Sequence, residues 1–367
     1  MSSEGLRSVL HVAFPAHGGV ARVVSDLVTA QEKHGLAVAV ASPQGPLTRW
    51  LDGRATHLRW DARRSPGASV VAEMLRLRRL IQQVRPDIVH LHSSKAGLAG
   101  RLGLHGTLPT VFQPHAWSFL AANGHVADAA RAWERGAARW VDVLVHVSDA
   151  ERRQGELAGI APRRWAHIAN GVDLAQFRPS DRAAARARVG LGDGPLAVCA
   201  GRICRQKGQD LLVELWPRVT AVLPDAQLAL VGRSEEPLPP LPAGVTLRPE
   251  RDDPTDWYSA ADVLAMPSRW EAGLPLVARE AMACARSVLA SDLDVVREDF
   301  PAGSGALLAT DDAAAWTEAL VARLGDRQRA DQEGSAGRAH AVQHFDIARV
   351  AHNVIAVYEQ ALAARSQ

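Results

Sequence analysis

The sequence predicts an α/β fold made of two doubly wound, parallel-sheet halves. Three observations predict it. Short apolar runs rich in β-branched residues alternate with helix-period stretches along the whole chain. The order strand, loop, helix, strand is complete within residues 8–42 and starts again at residue 196. Each half opens on a strand-to-helix loop containing glycine, Gly18-Gly19 in the first and Gly201 to Gly208 in the second.

In the first half, SVLHVAF (8–14) reads as a strand and residues 15–35 as a Gly-Gly loop leading into a helix, with apolar positions at Val20, Val23, Val24, Leu27 and Val28. Gly18-Gly19 at that junction suits an anion, although a tight turn needs glycine just as often. LAVAVAS (36–42) is the next strand. Residues 69–85 form an amphipathic helix with a basic face of Arg76, Arg78, Arg79 and Arg85, which suits a plain solvated face or an anionic surface. DIVHLHSS (87–94) is a buried-type strand with His90 and His92 on one face. Metal binding is not expected there, because no carboxylate or third ligand sits nearby. TVFQPHA (110–116) is a strand that brings His115 to a carboxyl end, where ligands bind in such sheets. Residues 131–140 are helical, 141–152 run from strand into a Ser-Asp helix start, and 165–184 hold a strand and the Asn170-Gly171 turn.

The second half restarts with LAVCAGRICRQKGQDLLVELWPRV (196–219). Arg202, Arg205 and Lys207 fall in its loop, just before Gly208 and a helix from about Gln209. Cations beside a helix N-terminus make a diphosphate pocket. Strands follow at 226–234, 245 onward and 261–266. The central stretch, PSRWEAGLPLVAREAMAC (267–284), then gives a small-residue loop and a helix from about Leu276, bracketed by Glu271 and Glu280. Backbone amides suit phosphate and carboxylates suit hydroxyls, so this combination favours a sugar nucleotide. A strand at 287–292 and helices at 315–326 and 345–365 complete the chain.

Composition agrees with a globular protein: 47% hydrophobic and 22% charged residues. The three cysteines, Cys199, Cys204 and Cys284, have no metal-type spacing and suggest a reduced, cytoplasmic chain. No signal peptide or membrane-spanning run is expected. Residues 1–175 carry 21 basic and 14 acidic side chains, the remainder 21 and 26, so the first half is basic and the second acidic. A basic first half suits an anionic acceptor, or peripheral contact with the inner face of a membrane. Only Lys33, Lys95 and Lys207 among 42 basic residues are lysines.

The chain resembles the retaining glycosyltransferases of family 4, the glycosyl transferases group 1. The resemblance runs through Gly18-Gly19, HLHSSKAG (90–97), Asn170-Gly171-Val172-Asp173 with Phe177-Arg178-Pro179, AGRICRQKGQDLLV (200–213), LALVGRS (228–234), YSAADVLAMPSRWEAGLPLVAREAMAC (258–284) and the terminal helix. It implies the GT-B fold, two Rossmann-like domains facing across a cleft. The implied organisation is an acceptor-binding domain at 1–175, a linker at 176–195 about which the domains close, a nucleotide-sugar-binding domain at 196–345, and a helix at 346–367 that crosses back. It further implies that Arg202 and Lys207 neutralise the donor diphosphate, that Gly18, Gly19, Ala272, Gly273 and Leu274 offer backbone amides, and that Glu280 holds the ribose. Glu271 would lie by the transferred sugar, and His115 matches the family's histidine near the reacting centre.

One departure stands out: eight residues separate Glu271 from Glu280, where the family usually has seven. Either the loop is bulged and Glu271 keeps its role, which the intact flanks favour, or Ala272 takes the glutamate's place. The implied activity is metal-independent, front-side transfer from a UDP- or GDP-linked hexose or N-acetylhexosamine, with UDP favoured, to the hydroxyl of a sugar, lipid-linked or small-molecule acceptor. The donor is a co-substrate; no cofactor, metal or nucleic acid is expected. Two other readings share the fold: an epimerase or phosphorylase, and a non-catalytic sugar-nucleotide-binding subunit. No lysine stands out for a pyridoxal Schiff base, which counts against a phosphorylase.

Overall fold

The computed structural model describes residues 5–63, 67, 69–120 and 122–366. The chain divides into two compact units, one running through Gly171 and resuming at Ile347, the other Val172–Asp346. The first unit holds β1 (Ser8–Ala13), α1 (Gly18–Lys33), β2 (Ala37–Ser42), α2 (Pro46–Trp50), β3 (Thr56–Arg59), α3 (Ser69–Val84), β4 (Ile88–His92), α4 (Ser93–Leu104), β5 (Thr110–Gln113), α5 (Gly124–Ala137), β6 (Val143–His146), α6 (Asp149–Leu157) and β7 (Trp165–His167). The second holds α7 (Arg182–Val189), β8 (Leu196–Ala200), α8 (Gln209–Val222), β9 (Gln227–Val231), β10 (Val245–Arg248), α9 (Thr255–Ala260), β11 (Val263–Met266), α10 (Leu276–Ala283), β12 (Ser287–Ser291), α11 (Asp294–Arg297), β13 (Gly305–Leu308), α12 (Ala313–Gly325) and α13 (Arg327–His344). The terminal helix α14 (Ile347–Ser366) returns to the first unit.

Both sheets are parallel throughout. Their strand orders are β3-β2-β1-β4-β5-β6-β7 and β10-β9-β8-β11-β12-β13. Because helices cover both faces, the central strands are mostly apolar and buried: Val9, Leu10, Val12, Val89 and Leu91 in the first unit, interrupted only by the buried His11, His90 and His92, and Val198, Leu228, Leu230 and Leu264 in the second. The winding direction reverses between β1 and β4, and between β8 and β11. In open sheets of this kind the loops diverge at such a point and leave a crevice beyond the strands' carboxyl ends.

Several segments differ from the sequence expectation. Residues 176–195, expected as a linker, contain α7, capped by Asp181 at its start and by left-handed Gly190 at its end. Arg182 and Arg186 of α7 both grip Asp262, at 3.1 and 2.7 Å, so this segment is part of the second unit. The strand expected to reach Ser94 stops at His92, where Ser93 turns with φ +74° and starts α4. The strand expected to reach Ala116 stops at Gln113. Helix α13 escapes apolar periodicity because it buries only small residues, Ala330, Gly334, Gly337 and Ala341. A Cβ on Gly334 would stand 2.2 Å from the Ala285 carbonyl oxygen, so glycine is what lets that helix seat.

Helix α14 packs on α1, and its Arg365 forks onto both carboxylate oxygens of Asp142 at 2.9 Å. In the same unit Arg101 and Glu134 form a fully buried ion pair at 2.8 Å, with the guanidinium carbon 4.1 Å from the Phe112 ring centre. Removing one partner leaves a stranded charge. Glu134→Ala should therefore destabilise the first unit by about 3–5 kcal/mol, read as a lower urea midpoint for the transition that unfolds it.

Candidate functional site

The sequence-derived site residues fall into two groups, one in each unit, and each group gathers where its sheet reverses direction. In the second unit the loop leaving β8 carries Arg202 and Lys207, and the loop leaving β11 carries Glu271, Ala272, Gly273 and Leu274. These loops meet. Lys207 Nζ pairs with Glu271 Oε1, and Gln206 Nε2 donates to the Trp270 carbonyl at 3.1 Å. Arg269 forks onto Asp210 at 2.6 and 2.9 Å and reaches the Arg205 carbonyl at 2.8 Å. Gly208, with φ +69°, sits so close to the second loop that a Cβ would stand 2.0 Å from the Pro267 oxygen. Any side chain there would pry the loops apart.

Arg202 NH1 donates to Glu235 at 2.8 Å and NH2 to Gln206 Oε1 at 2.8 Å, so both expected phosphate cations are already held by carboxylates. Sequence reasoning missed Glu235, which follows the β9 strand with no motif to mark it. Glu280 is buried in α10 and accepts a hydrogen bond from Tyr258 at 2.7 Å. Leu274 is buried, and the helix start follows at Leu276, with Pro275 as its extended cap. Glu271 is thus the acidic side chain that reaches Lys207; Ala272 adjoins it with only a methyl group.

In the first unit, Gly18 opens α1 with φ +70°, a conformation that costs glycine nothing, and neither Gly18 nor Gly19 has an atom within 4 Å of where a Cβ would stand. A ligand can therefore come close to the backbone at this helix start. Ser93, after β4, donates through Oγ to the Phe14 carbonyl after β1, fixing the two loops to each other. His115 follows β5 with φ +54°, and Ala116 with φ +126°. Glu151 holds this turn, because its carboxylate accepts from Ala116 N–H at 2.9 Å and from Val147 N–H at 2.8 Å. Burial pushes the Glu151 carboxyl up to about 7, against the pull of those two bonds.

His115 does not stand alone. Its Nε2 lies 3.1 Å from His92 Nδ1, and His92 Nε2 lies 2.9 Å from His11 Nδ1. The strand pair β1 and β4 places His11 beside His90 in register, with His92 next along. Burial depresses all four rings: His11 to about 4, His115 to about 3, and His90 and His92 well below the usual range, with neighbouring histidines adding to the effect on the last two. The cluster is therefore neutral at pH 7. The expectation that no third ligand lies near His90 and His92 is corrected here: ring nitrogens of His11, His90 and His92 come within 4.8 Å of one another. His11 is far away in sequence, and parallel pairing brings it in. All three cysteines are free, and burial pushes the Cys199 and Cys284 thiols up to about 12. Among the described residues, no helix is long and apolar enough to cross a membrane.

A family model described as Glycosyltransferase Family 4 matches residues 17–176, and one described as Glycosyl transferases group 1 matches residues 194–326. The chain is similar to a GDP-mannose-dependent monoacylated alpha-(1-6)-phosphatidylinositol monomannoside mannosyltransferase of Corynebacterium glutamicum, 34% identical over 218 residues, 54% of this chain and 57% of that protein. It thus spans little more than half the length of that relative. It is also similar to D-inositol 3-phosphate glycosyltransferase 1 of Catenulispora acidiphila, 32% identical over 312 residues, 75% of this chain and 72% of that protein. In fold it matches the sucrose-phosphate synthase of Thermosynechococcus elongatus, with a TM-score of 0.82 at 22% identity over 98% of this chain and 100% of that one. It likewise matches HepE of Anabaena in complex with UDP-glucose, with a TM-score of 0.81 at 18% identity over 95% and 98%.

The four depressed histidines make stability depend on acidity. As pH falls below about 6.5, the value for a free ring, the unfolded chain takes up protons that the folded rings refuse, so their contribution is complete above that pH and is lost as pH falls toward 4. Glu151 acts oppositely, its contribution being lost as pH rises toward 7, but it is one group against four. Urea midpoints should fall between pH 6.5 and pH 5. A flat profile over that interval would contradict the buried, neutral cluster.

Proposed function

From the premise that the chain belongs to glycosyltransferase family 4, the glycosyl transferases group 1, with two Rossmann-like parallel-sheet units of the GT-B fold, we propose that it transfers a sugar from a nucleoside-diphosphate sugar to an acceptor hydroxyl with retention at the anomeric carbon. The observation that carries this reading is the meeting of the Arg202–Lys207 loop with the Glu271–Leu274 loop where the second sheet reverses.

In this reading Arg202 and Lys207 turn from Glu235 and Glu271 to the donor's two phosphates. The released Glu271 accepts hydrogen bonds from the sugar, and backbone amides of Ala272, Gly273 and Leu274 approach the sugar and phosphates. Glu280, steadied by Tyr258, takes the ribose hydroxyls. Gly18 and Gly19 offer open amides to an anion, and His115 addresses a hydroxyl near the reacting carbon. The bond from the anomeric carbon to the phosphate oxygen breaks as the acceptor oxygen approaches on the same face, and the departing phosphate oxygen takes the acceptor's proton. Negative charge grows on the diphosphate, and two fixed cations stabilise it there, each such contact being worth about 2.7–4 kcal/mol of barrier. No side-chain nucleophile is required.

The donor's base and sugar are read from the relatives' names alone. The Corynebacterium protein is named for GDP-mannose, so GDP-mannose joins the UDP-sugars as a donor to test. The acceptor class is a polyol, or a lipid-linked or soluble sugar. The exposed Arg76, Arg78 and Arg79 of α3, with Arg85 just after it, suit contact with an anionic acceptor or an anionic membrane surface.

Lys207→Ala and Arg202→Ala should each lower turnover about a hundredfold or more with the far-UV circular dichroism unchanged. The measurement is release of nucleoside diphosphate from each donor, with and without acceptor. Near-normal rates in both variants, or equal release without acceptor, would reject transfer. The matching donor alone should also raise the melting temperature.

A further inference from the structure

The histidine cluster continues past His11. His11 Nε2 lies 2.8 Å from Gln31 Oε1, in α1. Gln31 Nε2 donates to the Tyr358 hydroxyl of α14 at 3.3 Å, and that hydroxyl lies 2.7 Å from His90 Nδ1. A single file of hydrogen bonds therefore runs Tyr358, Gln31, His11, His92, His115, through α14, α1, β1, β4 and the turn after β5. Gln31, His11, His92 and Tyr358 are all fully buried.

A neutral imidazole has one N–H and one lone pair, so each ring in the file passes on a direction. The Gln31 amide oxygen can only accept, so His11 carries its proton on Nε2 and accepts at Nδ1. His92 must then donate from Nε2 and accept at Nδ1, and His115 must donate from Nε2. At the other end, Tyr358 accepts from Gln31 and is left with its own proton for His90 Nδ1. The opposite direction requires the Gln31 amide to turn over and Tyr358 to give its proton to Gln31. Amide orientation and ring protonation are thus one linked choice.

We propose that Gln31 is a positioning residue: through His11 and His92 it locks His115 as the Nε2–H tautomer, which leaves Nδ1 as a hydrogen-bond acceptor for a substrate hydroxyl. His115 in this state receives a hydrogen bond from a sugar or acceptor O–H and offers no proton at Nδ1 to a phosphate oxygen. The lock itself is a property of the first unit. Its consequence for turnover rests on the reading of His115 given above, and the experiment separates the two.

The experiment records the ring-nitrogen NMR signals of histidine-labelled, full-length protein at pH 7.5, with His115 assigned by their loss in His115→Asn and metal content measured on the same sample. The expected result is one lone-pair nitrogen, Nδ1, and one protonated nitrogen, Nε2, on His115. Gln31→Met, which removes both polar ends at similar size, should mix the two tautomers and lower kcat about tenfold with little change in donor KM. Gln31→Glu keeps an acceptor for His11 and should retain the tautomer. A proton on Nδ1 in the unsubstituted protein overturns the lock, as does an unaltered tautomer in Gln31→Met. Stoichiometric metal at His11, His90 and His92 also overturns it, because metal on His92 Nε2 would force its proton onto Nδ1 and reverse the bond to His115. A changed tautomer with unchanged kcat upholds the lock and removes His115 from the proposed reaction. The unsubstituted protein alone decides the tautomer if Gln31→Met does not fold.

Discussion

Within each sheet all strands run parallel, so every strand-to-helix loop of a unit emerges at one edge of that unit. That constraint, with the reversal of winding between β1 and β4 and between β8 and β11, decides where functional side chains can collect. Gly18, Gly19 and His92 follow or end β1 and β4; Arg202, Lys207 and Glu271 follow β8 and β11. The parallel sheet demands apolar strands and helices on both faces, and so leaves few places for polar groups. Several buried charges are correspondingly paired: Arg101 with Glu134, Lys95 with Glu73 at 2.6 Å, and Asp262 with two arginines. Such pairs exact a desolvation cost, and their geometry restricts which helix can cover which strand.

Much of this was legible from residue order. The strands near 8, 37, 196, 227 and 287 are apolar, β-branched and bounded by polar turns, which is a local property. So are the starts of α8 at Gln209 and α10 at Leu276, announced by Gly208 and Pro275. The cations Arg202 and Lys207 were readable because they stand between a strand and a helix. Helix α7 was equally readable, with Asp181 and Gly190 at its two ends, but a helix of only eight residues resembles a connector until Asp262 is known to receive its arginines.

What stayed hidden depends on distance. The histidine file joins positions 11, 92 and 115 to Gln31 and Tyr358 of helices at opposite ends of the chain, and no spacing in the sequence announces such a meeting. His90 and His92 could be placed on one face of a strand; that His11 lies beside them follows only from the pairing of β1 with β4. Helix α13 was hidden for a different reason. Its contact face is made of alanine and glycine, so the signal lies in small size and not in hydrophobicity.

The pairing of Lys207 with Glu271 and of Arg202 with Glu235 has a consequence for selectivity. If these cations take phosphate as proposed, a bare inorganic phosphate that claimed them would leave Glu271 facing it without counter-charge, while Glu235 would keep Arg233 at 2.8 Å, and repulsion from Glu271 would offset part of the attraction. A glycosylated diphosphate brings its own remedy, since its sugar hydroxyls can donate to the displaced Glu271 while its phosphates occupy the cations. In the proposed reading the resting loops are thus self-stoppered: a small anion meets a carboxylate it has stripped of its cation, whereas a molecule with acid at one end and alcohols at the other satisfies both Lys207 and Glu271 at once.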